Sequence, residues 1–136
     1  MSAARRIIPR KSPKRRANGA SAVAPSPART AAAGLDKVVA TALGDMKAVN
    51  VKQIDVRKLS DIFDTLVIAS GNSDRHVRSI AERLVQQAKA AGYQPLGVEG
   101  EKGGEWVLVD LGDCVVHVML PRVREFYGLE KLWSVS

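Results

Sequence analysis

A short apolar run near the middle of the chain constrains the fold more than any other feature. Residues 63–69 are apolar except at Asp64 and Thr65, and residues 66–68 are the unbroken stretch Leu-Val-Ile. The run has the length of a β-strand, and a strand that is apolar on both faces must be covered on both faces. We therefore predict a central strand with other elements packed on each side of the sheet.

A helix start and an amphipathic helix follow this strand directly. Ser73 or Asn72 can cap free backbone amides, and Asp74 lies at the positive end of the helix dipole. Gly92 is suitably placed to end the helix, and Pro95–Val98 predicts the next strand, so the segment forms a βαβ unit with parallel strands and a right-handed crossover. The apolar stripe of the helix consists of Val77, Ile80, Ala81, Leu84, Val85 and Ala88.

The segment before the central strand predicts one more helix and one more strand. Apolar residues between Leu35 and Val49 recur every three or four positions, which predicts a helix over about 35–49 that ends near Asn50. Ile54 and Val56 alternate with polar residues, as in a half-exposed edge strand.

The C-terminal third predicts a hairpin and a short helix. Strands over about 105–111 and 114–120 flank a tight turn at 112–113, which is typical of an antiparallel hairpin. Pro121 starts a helix over about 122–132, along one side of which lie Phe126, Leu129 and Trp133. The whole pattern predicts an α/β domain: a single-layer mixed sheet of about five strands with helices packed on it.

Positive charge is concentrated in the first 34 residues. The chain has 21 Lys and Arg against 14 Asp and Glu, a net charge of +7. Residues 1–34 hold eight of the basic residues and no acid, which leaves 13 basic and 14 acidic side chains, a net charge of −1, for residues 35–136. The first segment also holds four of the six prolines, a composition that buries too little apolar surface to fold. We therefore predict a disordered basic arm over 1–34 and one folded domain over 35–136.

Three interpretations of residues 1–34 stay open. The segment could be an organellar transit peptide, although Pro9 and Pro13 would interrupt the amphipathic helix of such a peptide. It could lie along RNA phosphates and gain affinity by releasing counterions. It could also be a solvated extension without function. The expected location is cytoplasmic in a bacterium, or organellar if the transit-peptide interpretation holds.

Several classes of protein are disfavoured by the composition. No apolar run approaches the roughly 20 residues that cross a bilayer, and the N-terminus lacks the apolar segment of a secretory signal. The single cysteine, Cys114, cannot form an internal disulfide. We expect a soluble protein of a reducing compartment that does not contact membranes.

No arrangement of residues predicts catalysis. Ser70–Ser73 could bind phosphate at a helix N-terminus, yet the same residues are ordinary helix caps, and no P-loop or dinucleotide fingerprint is present. Cys114 is expected to be buried in the core, whereas His117 is either a core histidine or part of a polar recognition surface. No Asp-x-Asp occurs on a strand, so neither a metal nor a cofactor is predicted from the clustered acids Glu99, Glu101, Glu105, Asp110 and Asp113.

Aromatic residues are concentrated at the C-terminus. Phe126, Tyr127 and Trp133 fall in the last eleven residues, among charged side chains. A short terminal helix cannot bury two opposite faces in one small sheet, so we expect some of these rings to be exposed, as in protein-binding hot spots. The alternative is that all three belong to the core.

The order of several short motifs resembles the Iojap family, the ribosomal silencing factors. The resemblance covers almost all of residues 35–136 and rests on 70–76 (SGNSDRH), 97–100 (GVEG), Trp106, 109–113 (VDLGD), 116–118 (VHV) and 124–133 (REFYGLEKLW). It implies a fold similar to nucleotidyltransferases without their catalytic acids. It also implies a translational repressor, not an enzyme, that binds the large ribosomal subunit through a ribosomal protein of the L fourteen type and blocks subunit joining, with a further role in ribosome biogenesis in organelles.

The resemblance also implies a recognition surface. The matching positions are Trp106, Asp110, His117, Tyr127, Leu132 and Trp133, with Arg75, His76 and Glu99 as weaker candidates that could instead shape the fold. One departure is Arg122, where the family commonly has an acid, and another is the length of the arm. The chain is expected to be a monomer or a weak homodimer. Two other functions stay open: a nucleotide-binding enzyme that uses Ser70–Ser73 with Asp110 or Asp113, and an RNA-binding module that uses the arm.

Overall fold

A computed structural model describes residues 25–133, with side chains from residue 34 onward. The strands form one sheet in the order β1-β2-β5-β4-β3, in which β2 and β5 are parallel and the other neighbours are antiparallel. The predicted α/β class with a five-stranded mixed sheet is therefore confirmed. In chain order the elements are α1 (Pro25–Asp45), β1 (Val49–Asp55), β2 (Thr65–Ser70), α2 (Asp74–Ala90), β3 (Gly97–Glu99), β4 (Trp106–Asp110), β5 (Cys114–Met119), α3 (Pro121–Tyr127) and α4 (Leu129–Leu132).

Each face of the sheet has its own core. The first core lies between the sheet and the helices α1 and α2, and the second core lies on the other face, against α3, α4 and residues 56–63. Side chains alternate along a strand, so Val67 of β2 packs in the first core while Leu66 and Ile68 pack in the second. The apolar run is thus covered on both faces, as predicted. Cys114 of β5 is buried in the first core, where burial raises the pKa of its thiol.

The predicted βαβ unit is present, but its strands are not neighbours. The pairings make β3 run in the same direction as β2, while β5 and β4 lie between the two. Ser73 caps α2, since its hydroxyl oxygen accepts a hydrogen bond from the backbone N–H of His76 at 3.1 Å. The predicted edge strand around Ile54 is β1, which pairs with β2 alone within the described sheet.

The bounds of α1 differ from the prediction at both ends. The helix ends at Asp45 because Lys47 adopts a left-handed conformation with φ of 56° and the Ala48 N–H turns back to the Leu43 carbonyl. Asn50, the predicted stop, is also left-handed but lies within β1, where the pairing with β2 shifts register. The helix begins at Pro25, so the predicted boundary at residue 34 falls inside it, and the arm prediction for residues 1–24 lies outside the described residues.

The predicted single helix over 122–132 is wrong. Gly128 takes a left-handed conformation with φ of 58° and divides it into α3 and α4. The axis changes at this residue, so Phe126 no longer shares a side with Leu129 and Trp133. Phe126 is exposed, while the other two side chains are buried in the second core.

No helix within residues 25–133 combines the length and the apolar character that crossing a membrane would require.

Candidate protein-binding surface

Three aromatic side chains from β4 and α3 form a continuous cluster, which we call the aromatic surface: Trp106, Phe126 and Tyr127. The ring centroids of Trp106 and Tyr127 are 4.8 Å apart, and those of Phe126 and Tyr127 are 5.0 Å apart in an edge-to-face arrangement. Phe126 is 79% exposed and Tyr127 53% exposed, whereas Trp106 is half-buried at the base of the cluster. Aromatic rings that contact one another yet are open to solvent are typical of protein-binding hot spots.

Phe126 is the member of this surface that sequence reasoning missed. It has the largest exposed fraction of the large apolar side chains in the described part of the chain. The sequence signal for its exposure was Gly128, two residues after Phe126, because glycine commonly ends helices. A helix that ends at Tyr127 has no continuation to bury Phe126.

Ion pairs hold the short helix α3 in place. The Arg124 guanidinium is nearly buried and bonds the Glu130 carboxylate of α4 at 2.5 Å and the Ser70 hydroxyl at the end of β2 at 3.0 Å. Arg122 bonds the carboxylate of Glu105, the residue before Trp106, at 3.2 Å. These contacts join the aromatic surface to the sheet, and the second shows that Arg122 has an acidic partner within this chain.

His117 lies below the aromatic surface and has no exposed area. The indole N–H of Trp106 donates to His117 Nδ1 at 2.9 Å, and the two ring centroids are 5.8 Å apart. Burial lowers the pKa of His117 to about 3, so the ring is neutral near pH 7. His117 is therefore a core histidine in contact with the candidate surface.

The remaining predicted site residues lie in different places. Leu132 is 46% exposed on α4, but Trp133 has no exposed area and packs in the second core with its ring centroid 5.3 Å from that of Phe63. Direct contact of Trp133 with a partner would therefore require the core to open. Asp110 is buried, its carboxylate accepts from the Gly112 N–H at 3.0 Å, and four residues along β4 separate it from Trp106 by roughly 13 Å.

The three weaker candidates are on other elements. His76 ties two helix ends together: its Nδ1 accepts from the Asn72 N–H at 2.9 Å, and its Nε2 lies 2.8 Å from the Met46 carbonyl oxygen. Arg75 is exposed in the first turn of α2, and Glu99 is half-buried at the end of β3. Of the three, His76 has a clear structural role.

The loop Ser70–Ser73, a candidate for phosphate binding from its sequence, provides the cap of α2. A cleft of about 510 Å³ adjoins it, lined in part by Ser73, Asp74, Glu105 and Arg122. Two of these residues are acids, and Arg122 already pairs with Glu105, so the local charge disfavours a phosphate. Within the described residues, no three His, Cys, Asp or Glu side chains come together as metal ligands.

Acid pH is expected to destabilise the fold through His117. An imidazole in the unfolded chain has a pKa of about 6.5, whereas that of native His117 is about 3, so between these values the unfolded state binds a proton that the native state does not. The contribution of neutral His117 to the free energy of unfolding is therefore fully present above about pH 6.5. It decreases as the pH falls, by about 2 kcal/mol between pH 7.5 and pH 5. Urea unfolding of the wild type and of His117→Asn at pH 7.5 and pH 5 measures how the free energy of unfolding of each protein changes with pH. The same pH dependence in both proteins would contradict the assignment.

The fold and the surface together define a class of protein: an α/β domain that presents a cluster of aromatic side chains to solvent. Comparison with known proteins gives the family. Residues 29–136 match the family model described as "Ribosomal silencing factor during starvation". The chain therefore belongs to the ribosomal silencing factor family.

Relatives and solved structures agree with this assignment. The chain is 43% identical over 100 residues to Ribosomal silencing factor RsfS of Chromobacterium violaceum, covering 74% of this chain and 82% of the relative. It is 40% identical over 92 residues to Ribosomal silencing factor RsfS of Haemophilus influenzae, covering 68% and 90%. A crystal structure of a Chromobacterium violaceum protein superposes with a TM-score of 0.73 at 42% identity, covering 76% of this chain and 88% of that one.

Organellar relatives are also found. Mouse "Mitochondrial assembly of ribosomal large subunit protein 1" is 33% identical over 127 residues, covering 90% of this chain and 56% of the relative. "Protein Iojap-related, mitochondrial" of Arabidopsis thaliana is 35% identical over 125 residues, covering 83% and 68%. The resemblance to the Iojap family is thereby confirmed.

Proposed function

We propose that this chain is a translational repressor of the cytoplasm that binds the large ribosomal subunit and blocks its joining to the small subunit. The observation that carries the proposal is the aromatic surface on a member of the ribosomal silencing factor family. The choice of the large subunit is supported by the name of the mouse relative, which refers to assembly of that subunit. A parallel role in ribosome biogenesis is compatible with the same binding site.

The partner on the subunit is a ribosomal protein of the L fourteen type in this proposal. The folded part of the chain has a net charge of −1 over residues 35–136, which gives it no general attraction to RNA phosphates. Arg122 and Arg124 beside the aromatic rings are both paired with acids of this chain. Clustered aromatic rings with locally neutralised charge suit a protein surface better than a nucleic acid.

The mechanism is steric. A domain of about 100 residues has a radius of gyration near 13 Å, and on the joining face of the large subunit it would occupy space that the small subunit needs. No chemical step is involved. The competing nucleotidyltransferase hypothesis has little support, since Ser73 serves as a helix cap and the Asp110 carboxylate bonds a backbone amide.

A subunit-joining assay tests the proposal. Light scattering follows the association of purified small and large subunits after the large subunit is incubated with the protein. We expect the extent of association to fall in proportion to the bound protein, and Tyr127→Ala to restore it. Unchanged joining with large subunits saturated by the protein would contradict the proposal.

Residues 1–24 are proposed as an auxiliary contact with ribosomal RNA. They hold seven basic residues and no acid. Each phosphate that such an arm neutralises makes the binding constant fall more steeply with salt. Deletion of residues 1–24 should therefore flatten the salt dependence of large-subunit binding. An unchanged slope would show that residues 1–24 do not contact phosphates.

A further inference from the structure

The contact between Trp106 and His117 joins the aromatic surface to the interior. Trp106 Nε1 lies 2.9 Å from His117 Nδ1, and the centroid of the indole is 4.8 Å from that of the Tyr127 ring. His117 has no exposed area, so a partner docked on this surface meets Trp106 and not His117. Any influence of His117 on binding must pass through its neighbours.

The hydrogen bond fixes the tautomer of His117. An indole N–H can only donate, so Nδ1 is the acceptor and the neutral ring carries its proton on Nε2. Within the described residues, Nε2 is buried without a hydrogen-bond partner. An unpaired buried donor destabilises a fold, and an apolar side chain would fill the same place without that penalty. Core packing alone therefore does not account for a histidine here, whereas the bond to Trp106 does.

We propose that His117 is a positioning residue whose Nδ1 holds the Trp106 indole in the orientation in which the aromatic surface binds its partner. The inference rests on the proposed function, because it assigns a role within that same surface. A side chain that is already oriented loses less conformational freedom on binding. Trp106 is in contact with the buried His117 through the hydrogen bond and with the exposed Tyr127 through ring contact.

The first test needs no ribosome. In the ¹⁵N-labelled full chain, NMR can detect a scalar coupling across the hydrogen bond between Trp106 Nε1 and His117 Nδ1, and it reports the tautomer of the imidazole. We expect the coupling to be present, with the Nε2-protonated form, from pH 8 to pH 5. A missing coupling, or a proton on Nδ1, would overturn the inference whether or not the chain binds ribosomes.

The second test compares two variants of equal size. His117→Asn places an oxygen acceptor near the position of Nδ1, and His117→Leu has the same shape without an acceptor. We expect His117→Leu to shift the Trp106 indole signal and to weaken large-subunit binding about tenfold, the effect of one neutral hydrogen bond. His117→Asn should rescue both the indole signal and most of the affinity.

The outcomes separate the two proposals. Wild-type affinity in His117→Leu, or equal weakening in both variants with an unmoved indole signal, would overturn the positioning role. If the wild type itself does not bind large subunits, the proposed function fails. The indole signal and the coupling then still decide whether His117 orients Trp106.

Discussion

Replacement of Tyr127 or Trp106 by alanine is expected to weaken binding to the large ribosomal subunit by about 2 kcal/mol or more, which is roughly 30-fold. The two rings are in contact with centroids 4.8 Å apart, and Tyr127 is more than half exposed, so each substitution removes apolar contact area from the centre of the aromatic surface. Phe126→Ala should have an effect of the same kind, because Phe126 is the most exposed ring of the cluster. Titration of labelled protein with purified large subunits measures the dissociation constants.

Val51→Ala is the matched control for these substitutions. Val51 is also a large exposed apolar residue, but it lies on β1 at the edge of the sheet. Its replacement should leave the dissociation constant within about twofold of the wild-type value, since isolated surface residues contribute little. Unchanged binding of both Tyr127→Ala and Trp106→Ala, with far-UV circular dichroism like that of the wild type, would contradict the assignment of the surface.

Trp133→Ala is expected to reduce the free energy of unfolding by about 3–5 kcal/mol, the usual cost of removing a large aromatic ring from a core. Trp133 has no exposed area and packs against Phe63 in the second core. The adjacent Leu132→Ala is the control, because Leu132 is 46% exposed and its truncation should change stability by no more than about 0.5 kcal/mol. Urea unfolding measures the free energy of unfolding of both variants. Equal stability of the two variants would contradict the burial of Trp133.

These two predictions separate roles that the sequence motif combines. Tyr127 and Trp133 lie six residues apart in the sequence motif 124–133, yet the first is exposed and the second is in the core. The left-handed Gly128 between them makes the difference, because it ends α3 and redirects the chain into α4. A loss of binding in Trp133→Ala would therefore follow from a damaged fold, whereas a loss in Tyr127→Ala would follow from a damaged surface.

Local patterns were sufficient to predict the elements with strong periodicity. The unbroken apolar stretch at 66–68 predicted a buried strand, and the stripe from Val77 to Ala88 predicted α2. Each of these two patterns is contained in one short segment of the chain, and no contact with a distant segment overrides it. Of the two predicted caps, Ser73 and Asn72, the structure has Ser73. The expected burial of Cys114 is likewise confirmed.

The features that escaped prediction depend on backbone conformations or contacts that residue type does not specify. Lysine has no preference for the left-handed conformation that Lys47 adopts, so the end of α1 at Asp45 has no clear local signal. The insertion of β4 and β5 between β2 and β3 is a property of the whole sheet. Complete burial of His117 follows only when β5 lies between β2 and β4 in the sheet and its face is covered.

The candidate site was predicted in part. Trp106, Tyr127 and Leu132 were expected on a surface and have exposed area, while His117, Asp110 and Trp133 are buried. The resemblance to a family identifies positions that matter without distinguishing contact from support. The geometry makes that distinction for His117, whose ring touches the Trp106 indole from within.

Sedimentation with separated ribosomal subunits tests the central claim most directly. The tagged full chain is mixed with purified small or large subunits and centrifuged through a sucrose gradient. We predict that it migrates with the large subunit only, and that Tyr127→Ala stays at the top of the gradient while Val51→Ala migrates like the wild type. Migration with the small subunit, or absence from both, would contradict the account.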